Sequence, residues 1–308
     1  MSGPFHDKIT RLISNTAVTL SVAFTAIILA TLVAVVGYLV YLGGSGLSVD
    51  FFTKVPSGEL NGDIGGMKHA LIGTLILISL ASAVGVPMGI LTGVYLSEYD
   101  TGSWLATPVR FICDVLAGVP SIVVGILGYE LLVRPIGFWN PYIHIDFLFI
   151  HIDRPLMPNG QYNGFAGAMA LAFIMIPIVA RTAEEMLRLV PANYREASIG
   201  LGATKAQTIF GVVLPAATGS LVTGIMLGIA RVAGETAPLL FTALGSRFIV
   251  GNPYEPMPSL TKQIFDYATA ASPDQNRQAW AGILVLIGLI FVLNMAIRFA
   301  ASRRVVKR

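Results

Sequence analysis

Apolar residues run along this chain in long unbroken blocks, separated by short polar stretches. Six such blocks stand at about 17–42, 70–96, 105–133, 164–189, 212–244 and 279–300. At ~1.5 Å per residue each can cross a hydrocarbon layer ~30 Å thick as a helix. In lipid only a helix satisfies every backbone donor and acceptor within one segment. The pattern predicts an all-α, polytopic membrane protein with six transmembrane helices. The first block is too long for the apolar core of a signal peptide and reads as a retained span.

Composition agrees with this reading. The chain has 308 residues, 55% hydrophobic and 12% charged, whereas a soluble domain carries ~25% charged residues. A net charge of +3 makes no case for nucleic acid. An even number of spans puts both termini on one side. With the termini in the cytoplasm, ten basic residues fall on inner segments and seven on outer loops. The outer loops are also the longer ones, where basic residues weigh less, so that orientation is favoured. The division is then 1–64 for the cytoplasmic N-terminus, first helix and external loop, 65–300 for a five-helix transmembrane domain, and 301–308 for a basic cytoplasmic tail.

Several chemistries are missing. No Gly-Lys dipeptide occurs, so there is no Walker A loop, and neither HExxH nor CxxC is present. The single cysteine, Cys113, allows no intrachain disulfide. The stretch HIDFLFIHID sets His144 and His151 each two residues before an aspartate, Asp146 and Asp153. It reads either as an amphipathic external segment on the membrane surface or as a metal site.

Charge inside the apolar blocks is the strongest functional signal, because an ionised group at the bilayer centre costs at least ~2.5–3.5 kcal/mol. Positions 217, 220, 224, 228, 231, 235, 238 and 242 alternate steps of three and four. They share one face of a continuous helix. On it lie Gly224 and Gly228, a GxxxG that admits close helix packing, then Arg231 and Glu235. Arg231 falls roughly 23 Å beyond Pro215 at ~1.5 Å per residue. The pair can simply neutralise itself at i,i+4. A guanidinium has five donors, however, and the unused ones suit an oxyanion. Pro238 removes a backbone bond to Gly234 and predicts a bend. Arg181, with Glu184 and Glu185 one turn on, is either a snorkelling ion-paired residue or part of a pathway. Arg110 and Asp114 read as a structural i,i+4 pair.

The segment joining the fourth and fifth spans, about 191–215, reads VPANYREASIGLGATKAQTIFGVVLP with its flanks. Asn193 is a candidate N-cap with Glu196 at N3, and Gly200 or Gly202 a candidate stop. Thr204 and Gln207 form a capping-box pattern that starts a second short helix. By local pattern this is two short helices at an angle, and nothing local separates a docking element from a plain connector.

Here the chain resembles a family. Glu196, Ala197, Ser198, Gly202, Val212, Leu214 and Pro215 match the EAA loop of ABC importer permeases, with Ser198 and Val212 as mild departures. RTAEEMLRLVP, ARVAGETAPLLFTALG, AGVPSIVVGILGY, GGMKHALIGTLILI and PMGILTGVYLSEY together resemble the PstA-type permeases of phosphate-specific ABC transporters. The likeness covers roughly 65–300, and the 134–163 loop looks longer than that family needs. The resemblance implies a type I ABC importer permease fold, with the connector as the coupling loop docking on an ATPase. It implies phosphate-pathway roles for Arg231 and Arg181, with Glu235 beside them. It implies four partners: a homologous sister permease (PstC type), an ATP-binding subunit dimer (PstB type), an extracytoplasmic phosphate-binding protein (PstS type) and inorganic phosphate. ATP and Mg are then used by the ATPase, and this chain binds no cofactor. A permease for sulfate or molybdate stays open, as does a secondary anion transporter.

Overall fold

The computed structural model describes residues 4–57, 65–99, 104–134, 142–147, 150–155 and 160–305; for 4–12, 142–147, 150–155 and 301–305 it describes the backbone alone. The apolar blocks are helices. The first lies in α1, Pro4–Gly46, followed by the short α2, Val49–Thr53, and by α3, Lys68–Glu98. Next come α4, Ala106–Gly118, and α5, Ser121–Gly128, which continues as a π-helical turn through Val133. Two strands follow, β1, Tyr142–Phe147, and β2, Ile150–Pro155. Then come α6, Gly164–Arg188, α7, Ala192–Gly200, and α8, Lys205–Thr208, which passes through a π-helical turn into α9, Leu214–Ala233. The chain closes with α10, Ala237–Thr242, α11, Leu260–Ala268, and α12, Pro273–Val305.

Five helical runs are long and apolar enough to span: Ile13–Gly46, Lys68–Glu98, Gly164–Arg188, Lys205–Ala233 and Pro273–Ala300. The expected third span, 105–133, is not one helix. It breaks between α4 and α5 with a bend of 103°. Pro120 is the cause. It has no N–H to continue the ladder, and it pushes Val119 out of the helical region, to φ −66°, ψ 131°. The expected fifth span, 212–244, is also shorter as a helix. It stops at Ala233, and α10 starts afresh with Pro238 in its first turn. The single helix face drawn from 217 to 242 therefore holds only as far as 231.

Among the described residues the fold is all-α apart from one antiparallel hairpin between α5 and α6. Its backbone register sets His144 opposite Asp153 and Asp146 opposite His151. The side chains that the metal reading needs lie outside the described residues, as do residues 306–308 of the tail.

Helix α6 is the centre of the packing. Against it lies α3, whose Gly85, Gly89 and Gly93 repeat every four residues. A Cβ on Gly89 would lie 2.7 Å from the Val179 Cβ, and one on Gly93 2.5 Å from the Ala183 Cβ. No side chain fits there, so the two backbones approach as closely as glycine allows. The main apolar cluster joins Leu77 and Ala81 of α3 to Leu171, Met175 and Val179 of α6 and Ile229 and Val232 of α9. A second cluster, with Val94, Leu187, Ile209 and Val213, lies at the connector end. A third, with Phe51, Met67, Leu260 and Tyr267, lies at the opposite end.

Helix α1 rests on α12 through its last turns. Tyr38 meets Trp280 edge-on, with ring centroids 5.7 Å apart. A Cβ on Gly43 would lie 2.8 Å from the Trp280 carbonyl, and one on Gly46 2.6 Å from the Arg277 carbonyl. The apolar window of α1 has 0% of its residues buried, a surface suited to lipid.

Candidate functional site

Polar side chains interrupt the apolar body in several clusters among the described residues. The connector is the first. Helix α7 begins at Ala192 with Pro191 as its N-cap residue, and no side chain caps it. Asn193 therefore falls inside the first turn, and the expected Asn193 cap is not formed. The extended ψ of Pro191, 141°, turns the chain directly into the helix. Gly202 ends the turn at φ +87°, a left-handed conformation that side chains with a Cβ disfavour. A Cβ at Gly202 would meet nothing within 4 Å. The position is fixed by its backbone angle and not by crowding. Thr204 and Gln207 form the full capping box of α8.

Ser198 Oγ and Thr208 Oγ1 stand 2.9 Å apart and tie α7 to α8. Glu196 and Ala197 are exposed. Leu214 packs into the second apolar cluster, and Pro215 lies in the first turn of α9, directly after the π-helical turn. Exposed apolar residues, Leu201 at 91% and Tyr194 at 58%, stand among the exposed polar ones of the connector.

The second cluster surrounds Glu184 of α6, whose side chain is 4% exposed. Arg110 Nε of α4 donates to its Oε1 at 2.7 Å, and Arg110 Nη2 donates to the Leu96 carbonyl of α3 at 2.9 Å. Arg188 Nη2 lies 2.9 Å from Glu184 Oε1. Arg181 donates through Nε to Asp114 Oδ1 at 2.7 Å and through Nη1 to Glu184 Oε2 at 3.4 Å. The expected Arg110–Asp114 pair is thus replaced by ion pairs that cross between helices. A buried carboxylate needs counter-charge, and burial makes Glu184 the stronger claimant on Arg110. Arg181 is accordingly an ion-paired residue at the connector end of α6, held between Asp114 and Glu184.

The third cluster is Arg231 and Glu235. Gly224 packs against Thr182, and a Cβ on Gly228 would lie 3.0 Å from Val179 Cγ2. The GxxxG therefore seats α9 on α6. Arg231 follows in the last turn of α9, where a cation suits the helix dipole. Its side chain is 52% exposed at the surface of this chain, and its Nη2 lies 3.3 Å from Glu235 Oε1. Glu235, 14% exposed, sits in the break and not on the helix. Its carbonyl accepts from Thr261 Oγ1 at 3.0 Å, which ties the break to α11. The half-exposed guanidinium thus stands at the C-terminal end of an interrupted helix, beside the break.

Sequence reasoning missed Arg195 and Glu98. Glu98 ends α3, and Arg195 lies in α7. Nη2 reaches Glu98 Oε1 at 2.6 Å, and Nε reaches Oε2 at 3.0 Å. Nη1 donates to the Val190 carbonyl at 2.6 Å, and Nη2 to that of Leu187 at 2.8 Å. The Glu98 carboxylate holds the Arg195 guanidinium above its ordinary value, against the partial burial that lowers it. No group of three potential metal ligands occurs among the described residues.

Residues 85–307 match the family described as the binding-protein-dependent transport system inner membrane component. The chain is similar to phosphate transport system permease protein PstA of Haemophilus influenzae, 36% identical over 293 residues, covering 95% of this chain and 93% of that protein. It is also similar to phosphate transport system permease protein PstA 1 of Mycobacterium tuberculosis, 40% identical over 244 residues, covering 78% of this chain and, for strain H37Rv, 72% of that protein. Among solved structures, a chain of the inward-facing MetNI methionine ABC transporter superposes with TM-score 0.50 at 20% identity. That match covers 78% of this chain and 93% of the other. This last likeness concerns the fold alone.

Proposed function

From the premise that this chain belongs to the binding-protein-dependent transport system inner membrane components, among their phosphate transport system permeases, we infer that it is the transmembrane permease subunit of an ATP-driven phosphate importer. The similarity along 95% of the chain carries this reading. The chain forms half of the translocation path, and a sister permease supplies the other half against the face that exposes Arg231. Both termini lie in the cytoplasm. The connector docks on a separate ATPase dimer, which uses ATP and Mg, and an extracytoplasmic binding protein delivers phosphate. This subunit has no catalytic role of its own.

The geometry suits these roles. Arg231 gives one contact to Glu235 and keeps donors for an oxyanion. Glu235 only accepts hydrogen bonds when ionised. It favours an anion that still carries a proton, as phosphate does, over one that carries none. Arg181 lies toward the cytoplasmic exit. An anion reaching it must compete with Asp114, whose side chain is 52% exposed. An energy source is required. A dianion moving in against ~100 mV costs about 2 × 2.3 kcal/mol, and a thousandfold gradient adds roughly 4 kcal/mol.

The test is copurification and reconstitution. The tagged chain should bring down an ATPase subunit, and vesicles holding the complex and its binding protein should accumulate phosphate only with ATP. ATP-driven uptake of sulfate or molybdate in place of phosphate would overturn the substrate. Anion transport by the isolated chain without ATP would overturn the class.

A further inference from the structure

We propose that the cytoplasmic end of α3, Leu96–Tyr99, is the anchor through which the connector moves the helix body, with the Arg195–Glu98 pair as its strut. The inference rests on the importer reading above and adds where the stroke enters the fold. Both short helices of the connector are fixed to this one point. From α7, Arg195 grips Glu98 through Nε and Nη2. From α8, Lys205 Nζ lies 4.4 Å from the centroid of the Tyr99 ring, within cation–π range. The same guanidinium also holds the carbonyls of Leu187 and Val190 at the end of α6. One side chain thus clamps α7, α3 and α6, with four of its five N–H groups engaged.

Burial makes the clamp stiff. The side chains of Glu98 and Arg195 are 6% and 23% exposed. A charge pair with so little water around it resists separation, because either partner left alone is an uncompensated buried charge. The helices it joins are themselves a rigid pair, since no side chain fits between Gly89 or Gly93 of α3 and the facing turns of α6. The second route from the connector into the body is the chain itself, through the π-helical turn Ile209–Val213 into α9. There the Ser198–Thr208 hydroxyl contact links α7 to α8. The clamp is the stiffer route. A push on the connector therefore shifts α3 and α6 as one unit, and α9 with Arg231 follows because Gly224 and Gly228 seat it on α6.

Arg195 is a positioning residue, and the readout that isolates this role is the number of phosphate ions moved per ATP hydrolysed. In reconstituted complexes, Glu98→Gln keeps the shape and Arg195→Lys keeps the charge, but each loses the bidentate charged clamp. Each should lower this ratio about tenfold, within the range by which mutations along a coupling route act. The ATPase subunit should still copurify. A ratio equal to wild type in both variants overturns the proposal, even if the thermal midpoint falls, since that is the mark of a merely structural pair. Should both variants fail to assemble, the wild-type complex still decides. Spin labels at the exposed Asn193 of α7 and Leu91 of α3, neither part of the clamp, should keep their separation between nucleotide-free and ATP-bound states. A change of about one helical turn, ~5 Å, would show the clamp opening in the cycle and refute the idea. Failure of the wild-type chain to bring down any ATPase would instead refute the importer reading.

Discussion

Replacing Arg231 by glutamine tests the charge at the helix break most directly. The variant keeps a planar hydrogen-bonding group of similar reach and removes the fixed positive charge. Two unit charges ~4 Å apart attract by about 1 kcal/mol in water and about 4 kcal/mol at an effective dielectric near 20. With its side chain 52% exposed, Arg231 lies between these limits in the isolated chain. Cover from the proposed sister permease would move it toward the upper one. Glu235, 3.3 Å from the lost guanidinium, then faces the anion unbalanced and adds repulsion. A loss of roughly 3 kcal/mol corresponds to about a hundredfold at ~1.4 kcal/mol per factor of ten. The assay is initial-rate uptake of radiolabelled phosphate in vesicles with equal amounts of assembled complex. Arg231→Lys, which keeps the charge, should retain most of the rate. Uptake by Arg231→Gln within about twofold of wild type would refute the electrostatic reasoning, as the estimate allows no less than ~1 kcal/mol.

Three further outcomes are expected. Glu235→Gln should weaken the rejection of sulfate, read as sulfate-stimulated ATPase activity in a complex freed from control by its binding protein; sulfate inert in both forms would place selectivity elsewhere. Gly202→Leu should lower uptake through backbone strain of about 1–2 kcal/mol, while Gly202→Asn, which tolerates φ near +87° better, should act more weakly; equal effects would point to bulk and not to angle. Gly93→Val should push α3 off α6 and lower stability by about 1–3 kcal/mol, seen as an earlier thermal midpoint of the purified complex, whereas Gly211→Val, at a site with nothing within 4 Å, should leave it unchanged.

The helical nature of the apolar blocks was legible because lipid leaves the backbone no other choice. The breaks were harder. Gly118-Val119-Pro120 announced one, but apolar residues on both sides let a length criterion join α4 to α5. At 234–236 the bend was expected from Pro238, yet helix periodicity was carried across it, so Glu235 was placed on a face that ends before it. Pairing was legible only where it is local, as in the Thr204–Gln207 box and the contact of Arg231 with Glu235. Arg110 found Glu184, 74 residues away, and Arg195 found Glu98, 97 residues away. Burial decides those partnerships, and burial is a property of the packed bundle and not of spacing along the chain.

The way α1 is attached has a mechanical consequence. Its close approaches to α12 include the Tyr38 ring contact and the backbone at Gly43 and Gly46, all against one short stretch of that helix. From Ile13 to Gly37 its residues are exposed in this chain, a surface suited to lipid. Force applied from the amino-terminal side would therefore peel α1 away turn by turn, with lipid closing behind it, until the load reached Trp280. The interlocked trio α3, α6 and α9 would have to give way together. Unfolding under tension should begin with a gradual release and only afterwards show an abrupt, cooperative rupture.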